Sequence, residues 1–311
     1  MPPVLLLLSA LPVDAEDRIS RIGTLIKATT AHERQAAIAR HGESILIVVT
    51  TGAAGLSAAE INALPGLKLV CSIGVGYEGI DIEHARSLGI AVSHGPGTNA
   101  DAVADHAFAL LLAAGRRVLG NHEAVVNGIA RNDLPMPDQI SGKKLGILGM
   151  GQVGTRIAKR ASGFDMEVGY HALLKRDDVS HRFFASLLDL AKWCDVLVLA
   201  APGGADTHKI VNAEIIEALG SSGYLINVAR GSILDEQALL DALSKRRLCA
   251  AALDVYEAEP GIPFSLTEHR NVVLSPHIAG RSPKAMVNMV DLLIQNINRF
   301  LEGESLLTPI P

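Results

Sequence analysis

The chain has 311 residues, enough for two domains of ordinary size, and its 49% hydrophobic content with a mean hydropathy of +0.28 supports sizeable buried cores and argues against disorder. A net charge of −5 with no basic excess, and an aromatic content of 4%, count against nucleic-acid binding by phosphate neutralisation or base stacking. No apolar run approaches the roughly 18 residues that span a membrane. Cys71, Cys194 and Cys249 are scattered without metal-ligand spacing, so the expectation is a cytoplasmic protein with small buried thiols and no metal site.

Residues 4–8, 45–50, 67–72 and 90–93 are apolar runs that read as buried strands. The first has no Lys or Arg before it and runs into Pro12, Asp14, Glu16 and Asp17, so it reads as a strand and not as a secretory leader. Helical patterns at 32–40, 57–63 and 81–88 lie between these strands; Ser57 and Glu60 form a capping-box pattern and Gly89 closes the third. Strands alternating with helices imply a parallel α/β unit. Residues 101–114 form a strong helix, apolar nearly all round, which should be buried. Residues 131–141, with Pro135 and Pro137, read as a loop.

The apolar strand 144–148 is followed by Gly149-Met150-Gly151-Gln152-Val153-Gly154 and then by a helix opening at Thr155. Strand, G-x-G-x-x-G, helix is the context of a dinucleotide site. The first glycine makes the tight turn, the second lets backbone approach a pyrophosphate, and the third lets helix pack on strand. The helix N-terminus offers unpaired N–H groups to the phosphates. Such a fingerprint usually opens its domain, so something else occupies the first half of the chain. Further strands are expected at 166–170, 195–200, 224–228, 250–255 and 272–274, with helices at 186–191, 235–244 and 284–301.

In open parallel sheets ligands bind beyond the carboxyl ends of the strands. Arg230 follows the strand at 224–228, Glu259 follows that at 250–255, and His277 follows that at 272–274. Taken singly, each reads as a surface ion pair, a solvated loop residue or a hydrogen-bonded structural residue; their common location favours a site. Hydride transfer to a carbonyl needs a proton donor for the developing alkoxide, which His277 can be. A carboxylate on its other ring nitrogen would orient the imidazole, a role open to Glu259. An anionic 2-oxo acid needs a fixed cation, and the guanidinium of Arg230 offers forked geometry.

These residues, with their order and flanks, resemble the D-2-hydroxyacid dehydrogenase family, and within it most closely the hydroxypyruvate/glyoxylate reductase branch. The resemblance runs from about residue 45 to about residue 300. It rests on the run from Val70 to Asp81, on Ala102-Val103-Ala104-Asp105, on the glycine fingerprint, on Asn227-Val228-Ala229-Arg230-Gly231, on the run from Leu253 to Pro260, and on Ser275-Pro276-His277-Ile278-Ala279-Gly280. It implies an α/β fold of two Rossmann-like domains, one flavodoxin-like and one dinucleotide-binding, each with a parallel sheet and with a cleft between them that closes on ligand. It implies a discontinuous substrate-binding domain of residues 1–95 and 284–311, a dinucleotide-binding domain of residues 96–283, and a homodimer built through the latter. Arg230, Glu259 and His277 would be the catalytic set. Backbone N–H groups around Val75 and Gly76, with Arg230, would hold the substrate carboxylate. Asp254 would lie near the nicotinamide carboxamide, and Thr98, Pro202, Ala229 and Gly280 would stand beside the cofactor with the fingerprint residues 149–154.

The expected reaction is NAD(P)H-dependent reduction of small 2-oxo acids, hydroxypyruvate to D-glycerate and glyoxylate to glycolate. NAD-specific members carry an acidic residue at the end of the strand after the fingerprint. Here that strand runs into His171, Ala172, Leu173, Leu174, Lys175 and Arg176. A 2′-phosphate would meet no repulsion and could pair with Lys175 or Arg176, so NADP is expected over NAD. The NADP-dependent members commonly place Arg where this chain has Leu173. Two alternatives remain: the same chemistry on a phenylpyruvate-, gluconate- or phosphite-type substrate, and a non-enzymatic NAD(H)-sensing corepressor. Gly52, Ala53, Ala54, Gly55 and Arg281 are candidate pocket walls, although the small residues equally suit a tight turn; Trp193 reads as packing.

Overall fold

A computed structural model describes residues 2–259, 261 and 264–310. The backbone divides into two compact units, residues 1–99 with 282–311, and residues 100–281. In the first unit the elements are β1 (Val4–Leu7), α1 (Val13–Ser20), β2 (Thr24–Lys27), α2 (Ala31–His41), β3 (Ile45–Thr50), α3 (Ala58–Asn62), β4 (Leu69–Ser72), α4 (Ile82–Ser87) and β5 (Ala91–Ser93). All strand pairs are parallel, in the order β2-β1-β3-β4-β5. This is the flavodoxin-like order, which reverses between β1 and β3. Leu5 and Leu7 pack into one apolar cluster and Leu6 and Leu8 into another, so the period-two alternation of a strand feeds a core on each face of the sheet. Thr30–Glu33 and Ser57–Glu60 are reciprocal capping boxes that start α2 and α3.

The second unit comprises α5 (Ala100–Gly115), α6 (Val118–Val126), β6 (Lys144–Leu148), α7 (Gln152–Ala161), β7 (Glu167–His171), β8 (Arg182–Phe183), α8 (Leu187–Trp193), β9 (Val196–Leu199), α9 (Ala213–Leu219), β10 (Tyr224–Asn227), α10 (Glu236–Ser244), β11 (Ala250–Leu253), α11 (Phe264–Thr267) and β12 (Val272–Leu274). Its seven parallel strands run β12-β11-β10-β9-β6-β7-β8. Read from β8, this is the dinucleotide-binding order, third-second-first-fourth-fifth-sixth, extended by one strand, with its reversal between β6 and β9. Val196 and Val198 face one cluster, and Leu197 and Leu199 the other. The helix expected to be buried all round is α5. It buries Val103, Ala104, Ala107, Phe108, Leu110 and Leu111, but exposes Asp101, Asp105 and Ala109 along an i, i+4, i+8 stripe. Arg156 and Arg160 of α7 pair with the two aspartates. Trp193 packs against Phe184 with ring centroids 5.2 Å apart.

The chain then returns to the first unit through α12 (Pro283–Leu301), capped by Ser282 with Pro283 in its first turn. Val290, Leu293 and Ile297 of α12 fill the cluster that also holds Leu5, Leu7, Leu69 and Cys71. The residues after α12 reach the edge of the sheet, where Ile310 N–H donates to the Val92 carbonyl and Ser93 bridges Pro309. The loop 95–99, which spans the expected domain boundary at residue 95, is tied to the first unit: Gly95 N–H donates to Gly74 and Asn288 donates to the Thr98 carbonyl. Among the described residues no helix is long and apolar enough to cross a membrane, and no three His, Cys, Asp or Glu side chains converge as a metal site.

Candidate active site

The glycine fingerprint joins β6 to α7 at the reversal point of the second sheet. Gly149 has φ +96°, and a Cβ there would meet the Ala201 backbone at 2.7 Å, so the turn needs glycine for both conformation and space. A Cβ on Gly154 would strike the Gly149 carbonyl, which is the close helix–strand approach expected of the third glycine. Gly151 is different: a Cβ there would meet nothing within 4 Å. It is the N-cap of α7, with no side chain capping the helix. The open space beside Gly151 and the uncapped N–H groups of α7 fit a pyrophosphate.

The rim continues along the strand ends. Asn227, Leu253 and Leu274 are in register across β10, β11 and β12, which puts the loops carrying Arg230, Glu259 and His277 at one level of three adjacent strands. Gly203, in the turn after β9, lies against the aliphatic stem of Arg230, where an added Cβ would stand 3.0 Å from Cγ. Arg230 Nη1 donates to the Ala229 carbonyl at 2.8 Å, and the Asn227 amide donates to the Arg230 carbonyl at 3.0 Å. Gly231 packs directly on the Tyr256 backbone.

His277 and Glu259 come together. Nδ1 of His277 lies 2.6 Å from Oε2 of Glu259, whose other oxygen accepts from the Tyr256 N–H at 3.0 Å. His277 has φ +52°, a left-handed conformation costing a non-glycine residue about 1 kcal/mol or more. Asp254 supplies the restraint. Its carbonyl accepts from the His277 N–H, and its buried carboxylate accepts from Ser275 Oγ at 2.5 Å, Ile278 N–H at 3.0 Å and Ala279 N–H at 2.8 Å. Asp254, expected near the nicotinamide carboxamide, thus braces the 275–279 loop.

His106 and Glu236 stand outside the sequence motifs of this site, and Ser275 and Tyr256 enter those motifs without a role of their own. His106 of α5 hydrogen-bonds Ser275 Oγ at 2.8 Å, and Tyr256 Oη donates to the Ser275 carbonyl at 3.1 Å. Glu236 of α10 accepts from the Glu257 N–H; burial pushes its carboxyl up, and the nearby carboxylates of Glu257 and Glu259 add to this. The usable signals are a histidine in the largely apolar helix α5, and a serine directly before Pro276-His277.

After β7 the chain carries no acidic side chain until Asp177. Leu173 is 94% exposed and Lys175 is exposed. Arg176 turns back to the fingerprint, Nη1 donating to the Met150 carbonyl at 2.7 Å, and it also forms an ion pair with Asp178. Among the other expected cofactor neighbours, Pro202 accepts from Thr207 Oγ1, Ala229 is buried, Gly280 is half-buried, and Thr98 Oγ1 donates to the Gly95 carbonyl.

In the first unit Val75 and Gly76 follow β4. They are half-buried, and no acceptor for their N–H groups is present among the described residues. The loop 52–55 is folded against them: the Gly79 N–H donates to the Gly52 carbonyl, Gly55 has φ +61°, and a Cβ on Gly52 would meet Gly76 at 2.7 Å. Close packing therefore accounts for Gly52 and Gly55.

A dinucleotide-binding sheet with a histidine–carboxylate pair at its strand ends defines a nicotinamide-dependent oxidoreductase. Residues 108–279 match the family model described as D-isomer specific 2-hydroxyacid dehydrogenase, NAD binding domain, and this chain belongs to that family. It is 37% identical over 296 residues to glyoxylate/hydroxypyruvate reductase A of Arabidopsis thaliana, covering 95% of each chain. It is 36% identical over 296 residues to hydroxyphenylpyruvate reductase of Plectranthus scutellarioides, again covering 95% of each. Among solved structures, the NADPH-dependent glyoxylate/hydroxypyruvate reductase of Sinorhizobium meliloti, in complex with NADP and malonate, superposes with a TM-score of 0.88 at 30% identity, covering 100% of this chain and 97% of that one.

Proposed function

We propose that this protein reduces small 2-oxo acids with NADPH, taking hydroxypyruvate to D-glycerate and glyoxylate to glycolate. The observation that carries this reading is the 2.6 Å contact of His277 Nδ1 with Glu259 at the ends of the nucleotide-binding sheet. With Nδ1 engaged by the carboxylate, Nε2 remains to give its proton to the substrate's carbonyl oxygen. Arg230, its stem braced by Gly203, pairs with the carboxylate and polarises the carbonyl. The N–H groups of Val75 and Gly76 hold the carboxylate. The nicotinamide, when bound, supplies the hydride to the carbonyl carbon; Gly149, Gly151 and the N-terminus of α7 would hold its pyrophosphate. The first unit serves as substrate domain and the second as cofactor domain.

Lys175 and Arg176, with no carboxylate at the end of β7, support NADP over NAD. Homodimer formation through the second unit is supported by Val118, Leu119, Val125, Val126, Ile129 and Met136, all exposed in one stretch of that unit. A cytoplasmic location agrees with buried thiols: burial pushes the thiols of Cys71 and Cys194 up to about 12. The test is NADPH oxidation with a panel of 2-oxo acids and both cofactors. Turnover of hydroxypyruvate and glyoxylate with higher kcat/KM for NADPH than NADH is expected; no turnover of any 2-oxo acid would overturn the reading.

A further inference from the structure

We infer that His94 and Ser72 are positioning residues that set the anion-binding face of the Val75–Tyr77 loop, and that this face offers three consecutive amides. The inference rests on the reading above that this loop holds the substrate carboxylate. Three carbonyls in succession are tied to the interior of the first unit. Gly95 N–H donates to the Gly74 carbonyl at 2.7 Å, His94 Nδ1 lies 3.0 Å from the Val75 carbonyl, and Ser72 Oγ donates to the Gly76 carbonyl at 2.6 Å. In a trans peptide the N–H points opposite to the C=O of the same plane. Tying down these carbonyls therefore turns the N–H groups of Val75, Gly76 and Tyr77 the other way. None of the three has an acceptor among the described residues. Successive unpaired backbone N–H groups are a carboxylate cradle.

A carbonyl can only accept, so Nδ1 of His94 is the protonated nitrogen. The same ring stands edge-on to Tyr77, with centroids 5.2 Å apart at 86°, so His94 steadies both the middle and the far end of the cradle. Its own backbone is clamped by the returning end of the chain. His94 N–H donates to the Thr308 carbonyl at 3.2 Å, Thr308 Oγ1 donates back to the His94 carbonyl at 2.6 Å, and the buried amide of Asn296 on α12 donates to Thr308 Oγ1 at 3.0 Å. The C-terminal segment thus fixes His94, and His94 fixes the Val75–Gly76 peptide.

The test compares H94A, H94N and S72A. An asparagine amide can place a donor where Nδ1 stands, so H94N should rescue. With hydroxypyruvate at saturating NADPH, H94A should raise substrate KM by about ten-fold, the loss of one well-aligned hydrogen bond, with kcat and the NADPH KM within two-fold. H94N should return to within about three-fold of wild type, and S72A should shift KM in the same direction as H94A. Calorimetric titration of oxalate into the NADP-loaded enzyme gives a second readout that needs no turnover: wild type should bind and H94A should bind more weakly. Equal substrate KM and equal oxalate affinity in folded H94A would overturn the inference while leaving the functional reading intact. If H94A does not fold, an unchanged KM in S72A overturns it instead. A wild-type protein that neither turns over a 2-oxo acid nor binds oxalate overturns both.

Discussion

Nδ1 of His277 lies 2.6 Å from Oε2 of Glu259, and the second carboxylate oxygen is held by the Tyr256 N–H, so the histidine's orienting partner is itself fixed. H277N keeps a residue type that tolerates left-handed backbone, unlike H277A, and so isolates chemistry from strain. It should lower kcat by about 10²–10⁴-fold while NADPH affinity, read by fluorescence titration, stays within two-fold. E259Q can offer an amide N–H to Nδ1 and favour the wrong tautomer, so kcat should fall at least about ten-fold. More than about a tenth of wild-type turnover in H277N would remove His277 as the proton donor.

The glycines of the fingerprint have separable jobs. In G154A the new methyl meets the Gly149 carbonyl and must push α7 away from β6, which should cost about 1–3 kcal/mol and lower Tm by several degrees. In G151A the methyl meets no protein atom within 4 Å, and φ is −80°, so Tm should hold. Its KM for NADPH should nevertheless rise about ten-fold, because the methyl would intrude on the space proposed for the pyrophosphate. An unchanged cofactor KM in G151A would mean that the phosphates bind elsewhere.

The fold was legible where hydrophobic pattern and position agree. Apolar runs of strand length predicted β1, β3, β4, β6, β9, β10 and β11, and the strand–glycine–helix context located the reversal point of the second sheet. β2, Thr24–Lys27, escaped because an edge strand with exposed ends carries little apolar signal. α1 and α6 escaped because Pro12 and the left-handed Arg117 stand at their N-caps in place of the usual polar caps. Position after strands is what singles out Arg230, Glu259 and His277 in the sequence, and the structure brings His277 onto Glu259. The residues that steady them are not singled out in this way: His106 is 169 positions from Ser275, and only folding makes them partners.

On the proposed reading, the charge environment after β7 separates the cofactors. Lys175 is exposed, but Arg176 already serves Asp178 and the Met150 carbonyl, so a 2′-phosphate must compete with Asp178 for the guanidinium. K175A/R176A should raise the KM for NADPH by about ten-fold or more and leave that for NADH within two-fold. D178N should lower the NADPH KM, because it frees Arg176 and removes a nearby negative charge. Equal loss of both cofactors in the double variant would assign these cations to the fold and not to the phosphate.

Asp138 anchors the segment that carries the exposed apolar residues of the second unit. Its N–H donates to the Gly115 carbonyl, and its carboxylate meets Lys143 at 3.0 Å and the Tyr224 hydroxyl at 3.0 Å. The Lys143 hydrogen bond, chiefly, holds this carboxyl below its ordinary value of 3.8, against the opposing effect of partial burial. Burial pushes the Tyr224 phenol up, so it stays a donor throughout. The folded protein therefore binds the Asp138 proton less readily than the unfolded chain does. The stabilisation is complete above about pH 3.8 and is lost as pH falls through the lower folded value. With 47% of the side chain exposed, solvent screening limits it to about 0.5–1 kcal/mol. D138N should thus be less stable than wild type in urea at pH 7 and at pH 5, with the gap closing as the pH is taken below 3.8. A gap that stays constant across that range would show that Asp138 acts through shape alone and that its ion pair with Lys143 contributes nothing.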